Sequence, residues 1–130
     1  MGLMKRVVNP LTGLLLRSPL YRLMPGVMLV TVVGRKSGRR YTTPVQFARG
    51  VDTVYALTRA DRTWWRNARD GAPVTLRIGG ETRTGVADAF PAGAEIAAPA
   101  LAAFRGSSLE RATGRAGAQA VIVAIELDVR

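Results

Sequence analysis

Pro73–Ile78 and Glu81–Phe90 each place side chains alternately on two faces at period two, and only Gly79-Gly80 separates them. A two-residue glycine turn accepts the positive φ angles of a tight hairpin, so the two runs read as neighbouring antiparallel strands. The same grammar extends along most of the chain. Val27–Val33 is an apolar, β-branched run ending at Gly34, which suits a buried strand. Thr42–Ala48 reads as a second strand, with Pro44 confining its start to an edge or a bulge. Arg49–Asp52 then forms a hairpin turn into a third strand, Thr53–Thr58, and Ala120–Leu127 is the last strand.

Two stretches depart from this pattern. Asp61 or Thr63 can cap a short helix through Trp64, Trp65, Asn67 and Ala68, which Asp70-Gly71 ends. Ala92–Arg115 is alanine-rich and reads as one helix or two short ones, with Pro99 and Gly106 as interruptions. Six strands with two short helical excursions predict a mainly β fold with helices, an antiparallel barrel either closed or half-closed. Before it, Leu3–Leu23 shows roughly helical apolar spacing broken near Pro10 and Pro19 and studded with Lys5, Arg6, Arg17 and Arg22. That N-terminal helical arm, residues 1–26, packs on the barrel or on a second subunit, or else lies as a basic amphipathic segment on anionic membrane. Residues 27–130 form the barrel, and 130 residues that are 48% hydrophobic suit a single domain overall.

Composition then limits the chemistry. With no cysteine and no histidine, the chain has no disulfides, no Cys or His metal site, no thiol nucleophile and no histidine-based triad. An enzyme built from these residues would rely on a cofactor. The formal net charge of +10 favours anionic partners such as phosphorylated cofactors, nucleic acid or acidic lipid. No apolar run reaches the ~18 residues of a membrane-spanning helix, and the chain is read as cytoplasmic.

The densest chemistry lies in Gly34-Arg35-Lys36-Ser37-Gly38-Arg39-Arg40-Tyr41-Thr42-Thr43-Pro44, a glycine-bracketed basic turn between two strands. It combines four cationic side chains, hydroxyls and pliable backbone, the composition of an anion-binding loop. It is neither a GxxxxGK[ST] phosphate loop nor a GxGxxG fingerprint, and no helix N-terminus follows it. Side chains and loop amides would therefore hold any anion, and the competing reading is a solvated hairpin loop. A second constellation favours a site. In an antiparallel arrangement the start of strand two and the end of strand three share one end of the sheet, which gathers Lys36, Thr43, Thr58, Arg59, Trp64 and Asn67. Adjacent tryptophans on a helix point about 100° apart, so one is expected in the core and the other as a pocket wall.

Taken in order, the apolar strand into GRKSGRRYTTPV, the strand end YALTR, and WWRNA followed by GAPVTLRIGG resemble the deazaflavin (coenzyme F420)-dependent oxidoreductases of the nitroreductase family. Those proteins are split β-barrels related in fold to the FMN-binding pyridoxamine-phosphate-oxidase proteins, and the resemblance runs from about Val27 to Phe90. It implies a six-stranded split antiparallel barrel of that type, commonly paired as a homodimer. It also implies a cofactor site at Lys36, Arg40, Thr43, Pro44, Leu57, Thr58, Arg59, Trp64 and Asn67. The activity implied is hydride transfer between F420 and a small, mostly apolar, electron-poor substrate, with no catalytic side chain assigned and the proton drawn from Tyr41, Tyr55 or solvent. Past Phe90 the chain departs from the family, being alanine-rich and free of tyrosine where other members place aromatic residues beside the substrate, so nitroaromatic reduction is not carried over. The alternatives are FMN in place of F420, or a non-catalytic binder of lipid, flavin or haem with membrane contact through the arm. A nucleic-acid partner is not expected, because aromatic residues make up only 6% of the chain and no stacking platform or recognition helix is evident.

Overall fold

A computed structural model describes residues 26–128 of the chain. Apart from Gly26, the expected helical arm lies outside the described residues. Six strands follow the predicted order: β1 (Val27–Val33), β2 (Arg40–Arg49), β3 (Thr53–Arg59), β4 (Ala72–Ile78), β5 (Glu81–Pro91) and β6 (Ala120–Leu127). All pairings are antiparallel, and the strand order β1-β2-β3-β6-β5-β4 closes on itself into a barrel.

Alternation decides which side chains fill the barrel. Met28, Val30 and Val32 of β1, Val54 and Ala56 of β3, Val74, Leu76 and Ile78 of β4, and Val123 and Ile125 of β6 form one buried cluster. Each large aliphatic side chain buried there stabilises the fold by roughly 1.5–3 kcal/mol of transfer free energy. The β4–β5 hairpin turns on Gly79 and Gly80 at φ 55° and 84°, as the sequence predicts for a primed two-residue turn.

The residues facing outward from β3 and β6 build a second cluster against two helices. These are α1 (Ala98–Phe104) and α2 (Ser108–Ala116), which follow a 3-10 turn at Glu95–Ala97. Phe104 and Leu109 are buried there with Ile122, and Tyr55 and Leu57 pack against them. Pro99 begins α1 instead of interrupting it, because the first helical positions need no amide donor. Gly106, at φ 78°, separates the helices as expected. Ser107 then caps α2, its Oγ accepting from the Leu109 amide at 3.2 Å while Glu110 accepts from the Gly106 amide at 3.2 Å.

Two further expectations are corrected. The basic turn ends at Arg39 and not at Pro44, since Arg40–Gln46 pairs residue by residue with β1. The short helix is a 3-10 turn, Trp64–Asn67, without a side-chain cap; Asp61 pairs with Arg59 at 3.5 Å instead.

Candidate functional site: a cationic cleft where the barrel splits

β2 pairs with β1 along Arg40–Gln46 but joins β3 only through Phe47, Ala48 and Arg49. Before Phe47 the two strands part, which leaves one edge of β2 unpaired. Pro44 lies on this stretch, where its missing amide hydrogen costs no ladder bond. β3 meanwhile stays paired with β6 to its end, Arg59 opposite Ala120. A cleft of about 480 Å³ opens along this split. Thr43–Gln46 form one wall, Leu57–Arg59 with Arg62 and Trp64 form another, and Ala112, Arg115 and Ala116 of α2 close the third side.

The polar floor is built by a short local device. Trp64 Nε1 donates to Thr58 Oγ1 at 3.1 Å, tying the 3-10 turn to the end of β3. Thr58 is only 8% exposed, so this bond satisfies its buried hydroxyl oxygen and leaves its proton to donate. Both tryptophans are half-buried and packed against the barrel cluster. Only Trp64 lines the cleft. Trp65 sits between two guanidinium groups, Arg66 at 5.5 Å and Arg69 at 5.7 Å from its ring centroid.

The basic turn has its own internal order. Gly34 donates its amide to the Arg39 carbonyl at 2.7 Å, and its carbonyl accepts from the Gly38 amide at 2.9 Å. Gly34 is buried under the Tyr41 ring, so that an added Cβ would come to 2.7 Å from Tyr41 Cε2. Ser37 Oγ and the Tyr41 hydroxyl are hydrogen-bonded at 2.9 Å. Asn67 Oδ1 accepts from the Arg35 amide at 3.1 Å, and the Arg35 guanidinium pairs with Asp70 at 3.0 Å. Asn67 and Asp70 thus dock the turn onto the segment after β3.

Six of the sequence-predicted site residues meet at the cleft: Thr43, Pro44, Leu57, Thr58, Arg59 and Trp64. Lys36 and Arg40 are exposed and do not line it, and Asn67 reaches the turn instead. Tyr41 and Tyr55 do not line it either; Tyr55 packs under the helices. Sequence reasoning missed Val45, Gln46, Arg62, Ala112, Arg115 and Ala116. No local signal could place α2 over this cleft, because the helix reaches it only through tertiary packing.

Electrostatically the cleft is one-sided. Arg59, Arg62 and Arg115 line it, and no carboxylate does. Arg59 shares Asp61 at 3.5 Å, whereas the Arg62 and Arg115 side chains have no acceptor among the described residues. Also among the described residues, no three or more His, Cys, Asp or Glu side chains gather where they could hold a metal ion, and no helix is long and apolar enough to cross a membrane.

A barrel split between two strands, with a half-enclosed cationic cleft in the split, defines a split-barrel ligand-binding protein. Solved structures bear out the fold. The haem storage protein HutZ of Vibrio cholerae superposes with a TM-score of 0.62 at 11% identity, over 95% of this chain and 92% of that one. A structure described as a domain-swapped dimer gives a TM-score of 0.57 at 15% identity, over 92% and 97%. An F420-H2-dependent reductase, FDR-A, gives 0.52 at 16% identity, over 78% and 95%. The sequence matches no curated protein. Residues 12–108 match the family model of the F420H(2)-dependent quinone reductases, and the chain belongs to that family. It is an F420-dependent oxidoreductase, with coenzyme F420 as its cofactor.

Proposed function

We propose that the cleft between β2 and β3 is the redox site, and that the protein transfers a hydride to a small, mostly apolar, electron-poor acceptor of quinone type. The observation that carries this reading is the cleft itself: about 480 Å³ in the barrel split, with apolar and hydroxyl walls, three arginines and no carboxylate. Those residues fit a ring system with a polar edge and an acidic tail. When bound, reduced F420 supplies a hydride, which together with one proton converts a quinone to its hydroquinone.

The chain's own residues bind and orient. Leu57, Pro44 and the Trp64 ring offer apolar surface, while the Thr58 hydroxyl, fixed by Trp64, and Thr43 offer hydrogen bonds to a ring edge or polyol. Arg59 takes negative charge at the end of β3. Lys36 and Arg40 belong to the same reading as an outer anchor for phosphate: Arg40 stands three residues before Thr43 on β2, a reach of about 10 Å along a strand. Asn67 acts indirectly, by holding the Arg35 amide and with it the turn. With neither tyrosine at the cleft, solvent at its mouth is the proton source. A homodimer is part of the reading, supported by the similar structure described as a domain-swapped dimer.

Haem is disfavoured by chemistry, since the chain has no histidine and no cysteine to ligate iron. The test is a ligand screen of the purified chain against F420, FMN and haem, read by the absorbance retained after desalting. Retention of F420, with saturable binding at micromolar concentration, is expected. Retention of FMN alone would overturn the proposal.

A further inference from the structure

The outer face of β1, β2, β4 and β5 carries a second recess, which shares no lining residue with the cleft. It is a groove of about 290 Å³. Strand register assembles it: Thr31 stands opposite Thr42 on one side and Thr75 on the other, and Arg77 stands opposite Leu29 and Thr82. Side chains directly opposite on neighbouring strands lie about 5 Å apart at Cβ, so these six residues share one small patch. Leu29 is only 4% exposed and forms the apolar floor.

Threonine is common on strands, so its hydroxyls alone imply no ligand. Arg77 is different. Its Nη1 donates to Thr82 Oγ1 at 2.8 Å, but its Nε is buried without an acceptor, and among the described residues no carboxylate lines the groove or pairs with it. A buried donor left unpaired destabilises the fold, and a cation without a counter-charge gains nothing there. The neighbouring hydroxyls add further donors. The Thr31–Thr42 bond, 2.8 Å between the two Oγ1 atoms, uses one hydroxyl proton and leaves the other. Thr82 accepts from Arg77 and keeps its own proton, and the Thr75 hydroxyl has no partner among the described residues. An uncompensated guanidinium among unused hydroxyl protons suits a negatively charged group rich in acceptor oxygens.

We infer that this groove is a second binding site, separate from the cofactor cleft, for a phosphate-class oxyanion, either free or carried on a compact polar molecule. Arg77 supplies the charge, and the hydroxyls of Thr75, Thr82 and the Thr31–Thr42 pair bond the remaining oxygens. The inference does not rest on the redox-site reading.

The test follows the backbone amides of the isotope-labelled full chain by NMR, with inorganic phosphate or glycerol phosphate replacing chloride at constant ionic strength. Saturable shifts at Thr31, Thr75, Arg77 and Thr82 are expected, with a Kd on the order of 1 mM. Equal affinity for the two probes would assign free phosphate as the ligand, and tighter binding of glycerol phosphate would assign a phosphorylated molecule. Arg77→Ala should weaken binding about tenfold, and the shape-preserving Thr75→Val about threefold. Arg49→Ala removes the same charge from a residue that lines neither recess and should change affinity less than about twofold. Phosphate held by the cleft arginines would shift Thr58, Arg59 and Arg62 instead. F420 added to the phosphate-saturated chain should move those cleft amides and leave the groove amides in place. The inference fails if the groove amides stay still while the cleft responds, or if F420 displaces phosphate from the groove. It also fails if Arg77→Ala weakens binding no more than Arg49→Ala and Thr75→Val has no effect. If the chain binds no F420, the redox-site reading fails, and the phosphate titration still decides the groove.

Discussion

Replacing Thr58 by valine tests the device that shapes the cleft floor. The substitution keeps the side-chain shape but removes the oxygen to which Trp64 Nε1 donates at 3.1 Å. A neutral hydrogen bond of this kind contributes about 1 kcal/mol net. Trp64 is half-buried, so water entering the cleft can satisfy part of the freed donor, and valine's stronger strand preference returns a few tenths of a kcal/mol. The expected loss is about 0.5–1 kcal/mol, which over 130 residues lowers Tm by about 2–4 °C. Because Trp64 forms part of the cleft wall, F420 affinity should fall about threefold as the indole loses its tether. A double-mutant cycle with Trp64→Phe isolates the bond. Each protein is unfolded in urea and followed by circular dichroism, a signal independent of the altered indole. A coupling of about 0.5–1 kcal/mol between the two sites is expected; a value below about 0.3 kcal/mol, within ordinary additivity error, would refute the bond's role.

Two glycine substitutions probe close approaches elsewhere. Gly34→Ala pushes a Cβ to 2.7 Å from the Tyr41 ring and from Ser37 Oγ, so the ring must shift and strain the Ser37–Tyr41 bond. A stability loss of about 1–3 kcal/mol is expected in urea unfolding, and an unchanged midpoint would show that the turn tolerates the shift. Gly85→Ala on β5 meets the Glu126 carbonyl of β6, a backbone atom that cannot rotate away. It should cost about as much, roughly 1–3 kcal/mol, and faster amide exchange along β6 should accompany the loss.

Much of the barrel was legible in the sequence because its signals are local. Glycine at 79 and 80 meets a steric requirement of the turn itself, and the alternation of β4 and β5 shows which side chains share a face. The division of the Ala92–Arg115 stretch at Gly106 was equally readable, since a positive φ is cheap only for glycine. Pro99 shows the limit of that reading, because proline breaks a helix interior yet suits a helix start, and only the chain's path settles which applies. Within the site, Thr43, Thr58, Arg59 and Trp64 could be brought together from antiparallel pairing, since the start of β2 and the end of β3 fall at one end of the sheet. Lys36 and Asn67 lie as close in sequence, but the turn folds back on itself and Asn67 is occupied in docking it.

By itself, then, the sequence determined six strands, their antiparallel sense and a basic turn leading into β2, all consequences of backbone sterics and of period-two patterning over a few residues. Tertiary structure alone decided that β2 leaves β3 before Phe47, that α2 covers the opening, and that Arg62 and Arg115 both line it. The physical reason is that the cleft is a gap in hydrogen bonding between strands, closed over by a helix. Its shape comes from the balance of packing across the whole barrel, which no stretch of chain contains alone.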